Sequence, residues 1–155
     1  MASQESGPDL IAPPPALYAI PLVAGLLLDR ILPLPRPPRR LSRLPGLAAL
    51  AGGAGLVGWF AATMTRAQTP IDPRQAPTRL VDSGPFQYTR NPAYLGLASV
   101  YVGISLLAGA RWPLVFLPGV LAIIDRGVIE REERYLANRF GGDYEAYLGR
   151  VRRWI

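Results

Sequence analysis

Leu44-Pro-Gly-Leu-Ala-Ala-Leu-Ala-Gly-Gly-Ala-Gly-Leu-Val-Gly-Trp-Phe-Ala-Ala-Thr-Met64 runs without a single charged residue. At about 1.5 Å of rise per residue it makes a helix able to cross the roughly 30 Å hydrocarbon core of a bilayer. A soluble helix of this kind would have to be covered on every side, and a chain of 155 residues cannot do that for several such runs. The stretch is also rich in small residues. Ala51 with Gly55, and Ala54 with Gly58, are small-xxx-small pairs that predict close approach of a neighbouring helix.

Working outward, three more apolar segments appear. Pro15–Leu34 is interrupted only by Asp29 and Arg30, and Pro92–Ala110 carries no charge. Trp112–Ile124, between Arg111 and Asp125, would make only about 20 Å of helix and contains Pro118-Gly119. Either it is broken and tilted, or the helix continues and draws Asp125 and Arg126 to the hydrocarbon edge, where ionisable groups mark functional sites. The proline-punctuated stretch Thr65–Arg90 reads as an irregular loop over one face of the bundle. A charged helix follows the fourth segment and stops at Gly141-Gly142. A last helix from Asp143 places Tyr144, Tyr147, Leu148, Val151 and Trp154 on one face, the pattern of a helix lying in the membrane interface. The fold class is therefore all-α: a polytopic helical membrane protein of about four membrane segments plus a C-terminal interfacial helix. It divides into a flexible tail (1–14), a first membrane segment with an Arg/Pro-rich loop (15–43), and a core with C-terminal amphipathic helices (44–155).

Charge narrows the function. All 17 basic residues are arginine, set against 11 acids for a net charge of +6. The arginines flank apolar runs and form no stripe interleaved with aromatics, so the partner is a lipid bilayer and not nucleic acid. The loop after Met64 and the C-terminal region hold most of them, which makes that side cytoplasmic by the positive-inside rule, although Arg36–Arg43 lies on the other side. Residues 1–14 carry Glu5 and Asp9 and no base, the reverse of a secretory signal. Cysteine and histidine are absent, which removes disulfides, thiol nucleophiles, imidazole bases and most metal sites, and no metal is expected. Chemistry must rest on Arg, Asp, Glu, Tyr, Asn and backbone groups.

Two stretches have that chemistry. Gly84–Gly96 leads into the third segment and carries Arg90, Asn91, Pro92 and Tyr94; Arg126–Glu133 leaves the fourth. Asn91-Pro92 makes a good helix N-cap and first-turn pair. Arg126 and Glu133 are seven positions apart, so on an α-helix they share a face, with Glu130 nearby. The topology puts both stretches on one side, as a pocket of cations, carboxylates, an amide and tyrosine rings at the mouth of an apolar bundle. Such a pocket suits S-adenosylmethionine: arginine for its carboxylate, glutamates for its ammonium, tyrosine faces for its sulfonium.

The residues Thr78-Arg-Leu-Val-Asp-Ser-Gly-Pro-Phe-Gln-Tyr-Thr-Arg-Asn-Pro-Ala-Tyr-Leu-Gly96, then Val128-Ile-Glu-Arg-Glu-Glu-Arg-Tyr-Leu136, Phe140-Gly141 and Tyr144-x-x-Tyr147, closely resemble the isoprenylcysteine carboxyl methyltransferase-like family, which includes relatives of phospholipid N-methyltransferases. The resemblance spans about residues 44–155. It implies a helical membrane enzyme binding S-adenosylmethionine through Arg90, Asn91, Pro92, Tyr94, Glu132 and Glu133. Arg90, Arg126 and Arg131 are the candidate catalytic residues, the last two as partners for an acceptor or cofactor carboxylate. Asn91 stands where eukaryotic members carry histidine and cannot titrate, which argues against a prenylcysteine substrate. The expected function is methyl transfer to a lipophilic or amphiphilic acceptor at the cell membrane, with the active site facing the cytoplasm. A carboxylate is the preferred acceptor, because it needs no general base and the chain has no histidine. The alternatives are a phospholipid or amine N-methyltransferase, and a non-catalytic helical membrane module.

Overall fold

The structure, a computed structural model, describes residues 8, 11–35 and 39–155. The tail expected over 1–14 therefore lies mostly outside the described residues, as does Arg36. The described residues form six α-helices: α1 (Pro14–Ile31), α2 (Arg39–Arg66), α3 (Pro92–Ala108), α4 (Trp112–Ile124), α5 (Glu130–Phe140) and α6 (Gly142–Leu148), with a 3-10 turn at Gly84–Gln87. No strand occurs among the described residues. Helices α1, α3 and α4 open with proline in the first turn, where its missing N–H and fixed φ fit the helix start. Helix α3 closes on Gly109 in the left-handed region at φ 67°.

By length and apolarity, Pro14–Ile31, Leu41–Arg66 and the continuous helix Trp112–Phe140 can each cross a membrane, and α3 adds a shorter apolar helix of 17 residues. The chain is an integral membrane protein. The short fourth segment is not broken at Pro118-Gly119. Its helix continues through a π-helical turn, Asp125–Ile129, directly into α5. The turn is marked by the Glu130 N–H bonding to the carbonyl of Asp125, five residues back. It adds one residue to the helical repeat and so rotates everything beyond it by roughly 100°. The face that Arg126 and Glu133 would share on an uninterrupted α-helix is thereby split.

The core lies among α1, α3, α4 and the π turn, around Tyr18, Tyr101, Val120, Ile124, Val128 and Ile129. Asp29 is buried within α1 and accepts the backbone N–H of Arg111 at 3.0 Å, tying the end of α1 to the start of α4. Helix α2 stands outside this core and packs chiefly against α3. The seam between them is made by glycine. A Cβ on Gly53 would lie 2.6 Å from the carbonyl oxygen of Gly96, and one on Gly103 would lie 2.6 Å from the backbone nitrogen of Leu50. Gly53 and Gly103, with Gly46 and Gly96, make the close approach. The expected pairs Ala51/Gly55 and Ala54/Gly58 face outward: all are exposed, and nothing lies within 4 Å of a Cβ placed on Gly55 or Gly58.

The final helix is also shorter than its sequence pattern. It ends at Leu148, before Val151 and Trp154, and its Tyr144 and Tyr147 are buried. Residues after Leu148 leave the helix and cross back over the start of α3, where the Arg90 N–H donates to the carbonyl of Arg152 at 3.0 Å.

Candidate functional site

A cavity of about 300 Å³ opens where the turn before α3 meets the first turn of α5. Pro92 starts α3 and Tyr94 sits within its first turn, where the Tyr94 ring reaches α5 and its hydroxyl donates to Glu132 Oε1 at 2.6 Å. The same ring's backbone carbonyl accepts from the Tyr18 hydroxyl of α1 at 3.0 Å, which fixes its position. The next carboxylate along α5, Glu133, points about a quarter-turn away and receives Arg90 Nη2 at 3.3 Å. Both partners of that pair are mostly buried, with side chains 15% and 17% exposed. Arg90, Asn91, Pro92, Tyr94, Glu132 and Glu133 all line this cavity.

Arg126 and Arg131 do not line it, and Arg126 is exposed. Arg126 lies within the π turn, which breaks the face it would share with Glu133, and Arg131, one position before Glu132 on α5, points to a different side of that helix. Asn91 occupies the N-cap position of α3 but makes no side-chain cap. Its amide donates instead to the carbonyl of Arg153 at 2.9 Å.

Several residues of the site were not assigned to it from the sequence, Tyr144 and Tyr147 being read there as an interfacial helix face and part of the family motif. Tyr144 and Tyr147 of α6 form part of the wall. Burial is the main cause that pushes the Tyr144 hydroxyl up to about 12, with the charge of Glu133 adding to it, and burial also raises Tyr147. Both are neutral donors at any physiological pH. Tyr147 uses its proton on the carbonyl of Phe86 at 2.8 Å. Arg153 lies behind the site and donates to Glu133 Oε2 at 2.5 Å; this hydrogen bond is the largest influence raising its already high pKa. The loop after α2 contributes Asp72 and Arg79 to the lining.

Apart from Thr69 and Gln75, the remaining lining is largely apolar. Val57, Phe60 and Met64 form a stripe on α2, facing Leu97 of α3 and Leu136 of α5. The arrangement is amphiphilic: charged groups at one end and a greasy wall continuous with the membrane-crossing helices at the other. One polar atom lacks a partner. Arg90 Nε is buried with no acceptor among the described residues, an arrangement that ordinarily demands one.

The family model for phospholipid methyltransferases matches residues 41–143, a span holding α2, the Arg90 turn and the acidic start of α5. The chain belongs to the phospholipid methyltransferase family. That family consists of membrane methyltransferases acting on lipid-like substrates, and the match takes in most of the cavity lining, with Tyr144 and Tyr147 just beyond it. An uncharacterized protein of Haemophilus influenzae is 32% identical over 62 residues, covering 40% of this chain and 98% of that protein. No solved structure matches the chain.

Proposed function

We propose that this family member transfers a methyl group from S-adenosylmethionine to the neutral form of an amine-bearing amphiphile that enters from the bilayer, the amine's proton going to water and S-adenosylhomocysteine leaving. The observation that carries the reading is the joining of Arg90–Glu133 and Tyr94–Glu132 at the polar end of one cavity whose other wall is apolar. The residues fit the cofactor. Arg90 Nε, buried and without an acceptor, matches a carboxylate. Glu132 keeps Oε2 toward an ammonium while Oε1 is held by Tyr94. The rings of Tyr94, Tyr144 and Phe86 and the α2 stripe suit a sulfonium and a flat base.

Bound there, S-adenosylmethionine supplies an electrophilic methyl group. The chain's part is alignment and exclusion of water. Arg90 and Glu132 orient the charged end, Asn91 and Pro92 hold the turn that carries Arg90, and the α2 stripe admits an apolar acceptor from lipid. An amine acceptor is supported by Glu132, the lining carboxylate that no guanidinium pairs among the described residues; Asp72 is paired with Arg74, and Glu133 with Arg90 and Arg153. The excess of arginine on the loop and C-terminal side supports a cytoplasm-facing mouth.

The test has two steps. S-adenosylhomocysteine is titrated calorimetrically into the purified protein in detergent; the reading expects saturable binding, and silence at millimolar ligand would leave a non-catalytic membrane module. Membranes containing the protein are then given methyl-labelled cofactor and their lipids analysed by mass spectrometry. An N-methylated lipid is expected, whereas a methyl ester would restore the carboxylate acceptor.

A further inference from the structure

We infer that Arg153, outside the matched span 41–143, is the positioning residue of this site, and that it divides the labour of the two consecutive glutamates. The inference rests on the cavity being the cofactor site. One residue here joins three elements. Its guanidinium donates from Nε and Nη2 to the two carboxylate oxygens of Glu133 (3.2 and 2.5 Å), and from Nη1 to both oxygens of Asp125 (3.3 and 3.2 Å). Its carbonyl accepts from Asn91 Nδ2 at 2.9 Å and from the Thr89 hydroxyl at 3.2 Å. Trp154 follows with its indole N–H on Asp125 at 3.2 Å. The Arg90 turn, the π turn and the head of α5 are thus bound through a single side chain and its carbonyl.

The consequence falls on the glutamates. Glu133 has both oxygens taken by Arg153, and Arg90 shares one of them. It is a counter-ion whose charge two guanidiniums already meet, with a single acceptor position left on Oε2. Glu132, which accepts only the Tyr94 hydroxyl among the described residues, is the carboxylate that faces a bound cation. Arg153 does not line the cavity. Its role is to hold Glu133 neutralised and the Arg90 turn in register. A lysine could not replace it, because a single ammonium cannot bridge two carboxylates with the planar fork of a guanidinium.

The experiment measures S-adenosylhomocysteine affinity by calorimetry, together with cofactor KM and kcat, for wild type, Arg153→Gln, Arg153→Lys, Glu133→Gln and the Arg153→Gln/Glu133→Gln pair. Loss of a charged hydrogen bond converts to at least about tenfold in affinity. Arg153→Gln is therefore expected to raise the dissociation constant and the cofactor KM by about that factor while kcat stays within about twofold. Arg153→Lys is expected to fall between it and wild type, and carries the test if the glutamine variant does not fold. The double variant should bind better than the product of the single losses predicts, because it removes an unbalanced charge. Arg153 variants that bind like wild type, or losses that simply multiply, overturn the inference alone. A wild type that does not bind overturns the cavity reading and this inference with it.

Discussion

The α2–α3 seam and the polar end beneath it are held together in opposite ways. The seam is a matter of shape: Gly53, Gly96 and Gly103 let two backbones meet where a single added carbon would collide with backbone atoms at 2.6 Å. The polar end is a matter of direction. Arg90, Arg153, Glu133, Asp125 and Asn91 are joined by hydrogen bonds between segments far apart in the chain. A bilayer explains the division. Lipid gives helices no hydrophobic reason to associate, so they rely on close fit, while the membrane edge makes charges affordable if they are paired.

The largest effect is expected from breaking the seam. Gly53→Leu should destabilise the protein in detergent by about 3 kcal/mol or more, as overpacking against backbone cannot be relieved by a rotamer change, whereas Gly55→Leu, pointing into open space, should shift thermal unfolding by no more than about 0.5 kcal/mol. Equal losses at the two positions would mean that α2 is rotated from the orientation described. At the polar end, Glu132→Gln should weaken S-adenosylhomocysteine binding by about 1.5–3 kcal/mol with little change in melting temperature; an unaltered isotherm removes Glu132 from the site. Tyr94→Phe keeps the ring and deletes one donor to Glu132, so a loss of about 1 kcal/mol in ligand affinity is expected. The smallest effect belongs to Arg150, whose contact with Asp82 spans 3.5 Å between side chains 66% and 52% exposed. Arg150→Gln should alter neither stability nor binding by more than about 0.5 kcal/mol. A larger change would show that the polar end extends beyond the Arg153 cluster.

The same division decides what could be read from the sequence. Uncharged runs announce membrane helices because insertion depends on local composition, so α1, α2 and α3 were legible. Arg90, Asn91, Pro92, Tyr94, Glu132 and Glu133 also stood out, and they do line one cavity. Which face of α2 packs was not legible. A helix with alanine or glycine on every side has no apolar contrast to set its rotation, and Gly53 looks no different from Gly55. Arg126 was misplaced because no residue pattern announces a π turn. Arg153 does not stand out in the sequence, since the departure of the chain from helix after Leu148 is settled by its partners on α5 and the Arg90 turn, not by its own residues. That the loop after α2 brings Asp72 and Arg79 to the same cavity as the glutamates is likewise a tertiary fact.

The π turn at Asp125–Ile129 has a bearing on how sequence length, as opposed to sequence identity, maintains this protein. Removing one residue there would let the helix relax to regular α geometry and still traverse the bilayer. Every side chain of the cavity would remain encoded, yet Glu132 and Glu133 would swing by roughly 100° away from Tyr94 and Arg90. A one-codon deletion would thus be silent to any inventory of functional residues while dismantling the arrangement they depend on.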